Sequence, residues 1–171
     1  MKKKIMSFVA LMLLTAVAWA GSMVDGLENK IADLIFRAQT YTPPTTLCVA
    51  LTTGAAPGDT ATAATMGEAS YAGYARAQLN PSASNWKGTG GETAGASAGT
   101  SGTVKNNATL TFGTTATSGP TVVTGACVLD SCTIGSGATL FCSSLTTSKT
   151  INSGDPAPTL PVDAITIQID N

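Results

Sequence analysis

From Ile165 to Asp170 every second side chain is apolar, with Ile165, Ile167 and Ile169 alternating with Thr166, Gln168 and Asp170. A period of two is the spacing of a strand with one face on a core and the other in water. Mixed versions of the pattern recur at residues 45–52, 71–79, 104–112, 121–129, 138–145 and 164–169. Clusters of Gly, Pro, Ser, Thr, Asn and Asp at residues 54–67, 113–120, 130–137 and 152–161 separate them, and these residue types favour turns. Six or more short strands joined by turns predict an all-β chain, an antiparallel β-sandwich or jelly roll. Residues 88–102 are almost entirely Gly, Ala, Ser and Thr and read as a mobile excursion between strands.

Only one segment carries a helical period. Leu27, Ile31, Leu34 and Ile35 fall at i, i+4, i+7 and i+8, a single apolar stripe. Asp25 with Glu28 three residues on resembles a capping box, and Pro43-Pro44 limits the helix to about Gln39. So short an amphipathic helix is not stable alone, so its stripe must dock on a sheet or on a neighbouring subunit. The expected fold is therefore all-β with one short N-terminal amphipathic helix, and Leu27, Ile31, Leu34 and Ile35 are the expected assembly stripe.

Ahead of that helix, Lys2, Lys3 and Lys4 precede an apolar run from Ile5 to Trp19, and Ala18-Trp19-Ala20 is a small-x-small cleavage signal. These are the three parts of a secretory signal peptide, and the run is shorter than the roughly 20 residues that span a bilayer. Any membrane contact would come only through this leader. Gly21-Ser22 before Met23 leaves a second start open, at Met23. The organisation expected is a leader over 1–20, the helix and a Pro linker over 21–44, and the β domain over 45–171. Without residues 1–20 the chain keeps six basic and ten acidic residues, a net charge of −4.

The residue inventory narrows the chemistry. There is no histidine, which excludes Ser-His-Asp and Cys-His catalysis and imidazole metal sites. The full chain has a net charge of −1, which argues against nucleic acid as a partner. Asp130, Asp155, Asp163 and Asp170 stand in turns or at strand ends, where Asp closes turns through its own backbone. No calcium loop or phosphate-binding glycine motif is present, so no catalytic residue, cofactor or metal is expected. Tyr71, Tyr74 and Arg76 share one expected strand, where packing or protection of a sheet edge is favoured over ligand contact. Cys48, Cys127, Cys132 and Cys142 lie in or beside strands, and their spacing disfavours zinc. An even count behind a leader permits disulfides, with three pairings possible, and buried thiols are the alternative. Cys127 and Cys132 bracket a turn that a bridge would close, while Cys48 and Cys142 would have to meet across the sheet.

Several of these segments, in order, resemble a known family. Leu27-Glu28-Asn29-Lys30-Ile31 with Leu34 and Arg37, then Tyr41-Thr42-Pro43-Pro44-Thr45-Thr46-Leu47, looks like the start of small tailed-phage virion proteins. Gly73-Tyr74-Ala75-Arg76, Asn106 to Phe112, Leu140-Phe141 with Lys149-Thr150-Ile151 and Gly154-Asp155, and the closing Ile165 to Asp170 resemble the later strands of that family. The leader, Cys48, Cys142 and the excursion at 88–102 depart from its pattern. The resemblance implies a non-enzymatic structural protein in the virion, a tail fibre or a head decoration. It also implies a homo-oligomer, with a trimer favoured, and other virion proteins as partners. The alternative is an exported bacterial surface or fibre-forming adhesive subunit, secreted or on the cell surface, with its cysteines bridged.

Overall fold

A computed structural model describes residues 22–55 and 57–169. The leader reading at 1–20 and the turn reading of Asp170 lie outside the described residues. The elements, in chain order, are β1 (Ser22–Met23), α1 (Asp25–Phe36), β2 (Cys48–Thr53), β3 (Ala77–Gln78), β4 (Trp86–Lys87), β5 (Thr103–Asn106), β6 (Leu110–Thr111), β7 (Thr121–Leu129), β8 (Thr139–Ile151), β9 (Thr159–Leu160) and β10 (Thr166–Gln168). All pairings are antiparallel. They form a five-stranded sheet in the order β1-β8-β7-β2-β3, a three-stranded sheet β10-β5-β4 and a two-stranded sheet β6-β9. Among the described residues the architecture is an all-β sandwich with a single short helix, not a barrel.

The large sheet is covered on both faces, which is why β2 is buried at five successive positions instead of alternating. On one face Val49, Leu51 and Val128 meet Leu110, Leu160 and Ile167 of the smaller sheets in the main core. On the other, Ala50, Cys127, Leu129 and Cys142 lie under Ala63 and Met66 from the loop after β2. A bulge places one extra residue, Leu140, between the pairs Leu129↔Thr139 and Val128↔Phe141. The extra residue shifts the alternation, so Leu140 and Phe141 both pack on the main core while Cys142 turns to the opposite face.

Three expected strands differ from what forms. The run at 104–112 breaks into β5 and β6 at Asn106, whose buried side chain substitutes for strand pairing. Its Nδ2 donates to the carbonyls of Ala108 (2.9 Å) and Pro161 (2.7 Å), and its Oδ1 accepts from the N–H of Ile165 (2.7 Å). Alternation at 71–79 yields only Ala77–Gln78, because a turn follows Tyr71 and Gly73 sits at φ 99°, where a Cβ would lie 2.5 Å from the carbonyl oxygen of Thr115. In the other direction, β8 runs past the expected Leu145 to Ile151, with residues 145–148 bulging opposite Thr124.

Candidate assembly surfaces and what holds them

Helix α1 starts directly off the large sheet. Val24 is buried, donates its N–H to the carbonyl of Leu140 (3.0 Å), and occupies the N-cap position with no side-chain cap. Asp25 is therefore the first helical residue instead of the cap, and it joins Glu28 in placing negative charge at the positive end of the helix dipole. Leu27 is buried in the main core and Ile31 packs against it. Leu34, two turns beyond Leu27 and about 10 Å further along the axis, has run past the sheet. Leu34, Ile35 and Phe36 are 46%, 63% and 82% exposed. Ala38 adopts a left-handed conformation (φ 53°) and the N–H of Gln39 returns to the carbonyl of Asp33 (3.1 Å), so the helix stops short of Gln39 without any action by the prolines. The four-residue stripe thus divides into an inner half docked on the chain's own core and an outer half left open.

A second exposed element is held far more firmly. The loop between β7 and β8 carries Cys132 and an exposed Ile134. Arg76 is buried beneath it. Its Nε and Nη2 meet Oε1 and Oε2 of Glu68, each at 2.7 Å, while Nη1 donates to the carbonyls of Ser131 (2.7 Å) and Ser136 (2.8 Å). Oε2 of Glu68 also accepts the N–H of Gly135 (3.2 Å), and Oε1 accepts the hydroxyl of Tyr74 (3.1 Å). The same tyrosine oxygen accepts the N–H of Leu51 (3.0 Å). Tyr71 and Tyr74 are buried and 5.4 Å apart between ring centres. Burial pushes the Tyr71 phenol up to about 12, and burial followed by the Glu68 carboxylate pushes Tyr74 further in the same direction. Both stay protonated as fixed hydrogen-bonding groups: Tyr74 joins Arg76 and Glu68 beneath the loop, while Tyr71 donates to the carbonyl of Phe112 (3.4 Å) in the main core. Glu68, the partner of Tyr74 and Arg76, carries no sequence signal because it stands directly after the turn-rich stretch 54–67.

The cysteines pair as Cys48–Cys132 and Cys127–Cys142, with Cα separations of 5.2 and 4.2 Å. Cys127 and Cys142 are opposite one another across β7 and β8. Cys127 and Cys132 do not close a hairpin, because Cys127 faces the small core from within β7 whereas Cys132 is in the exposed loop, bonded to the start of β2. Asp130 and Asp155 each accept a turn N–H, from Ala138 (2.6 Å) and Asn152 (2.7 Å), and Asp163 pairs with Lys87 (2.7 Å). Among the described residues, no group of three or more Cys, Asp or Glu side chains is placed to hold a metal ion.

Beside the large sheet is an open cleft of about 400 Å³ whose walls include Leu47, Trp86, Val104, Phe141, Ile167 and Ile169. The Trp86 ring is fixed by its Nε1, which donates to the carbonyl of Leu79 (3.1 Å). Part of one wall comes from residues 88–102, which are organised around Glu92. Its carboxylate accepts the N–H groups of Gly90 (3.0 Å) and Ala98 (3.1 Å), and the Gly88 N–H bonds its carbonyl (2.8 Å). Hydrogen bonds from the N–H groups of Glu92 itself, Ala98 and Gly90 hold this carboxyl below the usual carboxylate range. The glycines allow the chain to come this close to the carboxylate, so the low-complexity excursion is a bonded loop.

No curated protein matches the chain. Residues 22–168, nearly everything after the leader-like segment, match the family described as podophage GP4 fiber I protein gp80. The match covers most of the chain, which therefore belongs to this family of phage fibre proteins, in the virion.

Proposed function

We propose that the chain is a non-enzymatic structural subunit of a phage fibre that self-assembles, as a trimer, through the open end of α1. The single observation that carries this reading is the run Leu34-Ile35-Phe36, three successive large apolar side chains exposed at the tip of a helix whose base is anchored in the core. Contiguous exposed apolar surface marks an interaction site more often than a free surface. The family's description supports a fibre over a head decoration. Disulfides form in oxidising surroundings, and a released particle meets such surroundings as a secreted protein does.

Sedimentation of the purified chain is expected to give a species of three subunit masses, and Ile35→Glu with Phe36→Glu is expected to reduce it to one. A chain that sediments as a monomer at every concentration, or a double variant that assembles like the parent, would count against this reading. The two disulfides favour a second reading, an exported adhesive subunit. Finding the protein in the secreted fraction with its N-terminus at Gly21, and not in purified particles, would select it.

A further inference from the structure

The two disulfides of the large sheet have different surroundings. Cys127 and Cys142 are both buried in the small core, with Ala63 and Met66. Cys48 is equally buried at the start of β2, but its partner Cys132 stands on the exposed loop between β7 and β8. We propose that Cys48 and Cys132 form an exchange site for low-molecular-weight thiols and disulfides of the glutathione class, with Cys132 the entry sulfur and Cys48 the resolving one.

Both cysteines are placed by bonds that do not involve their sulfurs. Cys48 is paired in the sheet on both sides, opposite Gln78 of β3 and Leu129 of β7. Around Cys132, Nη1 of Arg76 bonds the carbonyls of Ser131 and Ser136, Oε2 of Glu68 accepts the N–H of Gly135, and Oδ1 of Asp130 accepts the N–H of Ala138. The Cα atoms of the pair are 5.2 Å apart, a separation that a disulfide spans without backbone movement. Opening the bond therefore leaves the two thiols within reach of one another in a chain that is otherwise folded.

Access sets the order of events, because the thiolate is the reacting form and exchange begins at a sulfur that can be reached. With the pair reduced, the Cys132 thiolate attacks one sulfur of glutathione disulfide. A bond forms between Cys132 Sγ and that sulfur, the S–S bond of the glutathione disulfide breaks, and one glutathione thiolate leaves. Cys48 then loses its proton to solvent and its thiolate attacks Cys132 Sγ. The Cys48–Cys132 bond forms and the second glutathione leaves as a thiolate. The two cysteines have lost two electrons, and the disulfide has become two glutathiones. With thiol in excess the same steps run backwards, starting from attack at Cys132. Cys127–Cys142 takes no part, because both of its residues are sealed in the small core. A cytosol keeps thiols reduced and the surface of a released particle does not. Such a site lets the chain fold with the pair open and close it in place afterwards.

The test uses the full chain. Brief treatment with a phosphine reductant, removed before the assay, is expected to open Cys48–Cys132 and leave Cys127–Cys142 joined. Glutathione disulfide is then added, and intact mass with peptide mapping follows the products. The parent is expected to regain both disulfides and keep no adduct. Cys48→Ser is expected to hold one glutathione on Cys132, removable by dithiothreitol, because the resolving thiol is gone. Cys132→Ser is expected to keep a free Cys48 that takes up glutathione only when urea unfolds the chain. Circular dichroism shows that each variant is folded. Where one is not, the order is read on the reduced parent, in which a short pulse of iodoacetamide is expected to alkylate Cys132 and spare Cys48.

Glutathione bound to Cys48 of the folded Cys132→Ser chain as fast as to Cys132 of Cys48→Ser would overturn the proposal. Equal alkylation of the two thiols in the parent, or opening of Cys127–Cys142 before Cys48–Cys132, would do the same. A reduced parent that accumulates the Cys132 adduct without closing would show that Cys48 is out of reach, and the proposal would fail there too.

Discussion

The β7–β8 loop and the end of α1 both project an isoleucine into solvent, yet they are built in opposite ways. The loop is held from below by a forked ion pair whose arginine side chain has no exposure and whose glutamate has 7%, and from the side by Cys48–Cys132. Beyond its own backbone bonds, the end of α1 is held by Asp33 and Arg37, an ion pair 3.2 Å long whose side chains are 40% and 72% exposed. Buried ionic groups are costly unless fully paired, and exposed pairs contribute little. The loop therefore has one geometry enforced by interior chemistry. The helix tip has only its own backbone bonds and that exposed pair, and Leu34, Ile35 and Phe36 stay open to solvent.

Breaking the loop's support should have the largest effect. Glu68→Ala leaves the Arg76 guanidinium buried without its carboxylate, and removing one partner of a buried pair costs about 3–5 kcal/mol. Urea unfolding of this variant should show a much lower midpoint, and a loss below 1 kcal/mol would mean the pair is solvated in practice. The neighbouring phenols set an alkaline limit to the same region. Tyr71 is raised in the fold, so its stabilising share is complete below the pKa of about 10 that an unfolded tyrosine shows and disappears as pH rises through about 12. Absorbance at 295 nm should show Tyr71 and Tyr74 ionising together with unfolding and not ahead of it.

Separating the two disulfides comes next. Closing a long loop stabilises by about 2–4 kcal/mol, mainly through the unfolded chain. Cys48→Ser with Cys132→Ser should fall at the lower end, near 2 kcal/mol, because Arg76 still grips the carbonyls of Ser131 and Ser136. Mild reduction followed by alkylation should label the exposed Cys132 before Cys127 or Cys142, which are buried in the small core. Equal labelling of all four would contradict that order.

The stripe of α1 offers the same contrast within one helix. Leu27→Ala removes a side chain from the main core and should lower stability by about 2–4 kcal/mol, whereas Phe36→Ala should change it by about 0.5 kcal/mol or less. For assembly the ranking reverses: Phe36→Ala should weaken it strongly at unchanged melting temperature. Calorimetry and sedimentation on the two variants read the two effects separately.

Local pattern carried β10, whose register with β5 is unbroken, and the span of β7, and it identified the helix α1 and its apolar side. It did not show how far the underlying sheet extends, so Leu27 and Leu34 look equivalent in sequence although one is buried and the other open. The break at Asn106 was illegible for a similar reason. Two of its partners, Pro161 and Ile165, stand 55 and 59 residues away, and only the folded chain brings them to one amide. The length of β8 was hidden by the bulge at 145–148, which interrupts the period of two. Glycine-rich composition at 88–102 suggested mobility, because one glutamate among small residues does not advertise that its carboxylate will collect amides from both sides. Surface candidates were legible as residue types, and their partners were not.

The smallest effect belongs to the Asp33–Arg37 pair, and salt makes it separable from the buried pair. Charges in solvent are screened over about 8 Å at physiological ionic strength, while a pair sealed from water is screened much less. Arg37→Ala should lower stability by about 0.5 kcal/mol or less, and 1 M sodium chloride should erase that difference. The stability difference between the parent and Glu68→Ala should persist in the same salt, because ions do not reach Arg76. If salt removed both differences alike, the loop and the helix tip would be held by the same kind of bond, and the distinction between an enforced surface and an open one would have to be drawn from packing alone.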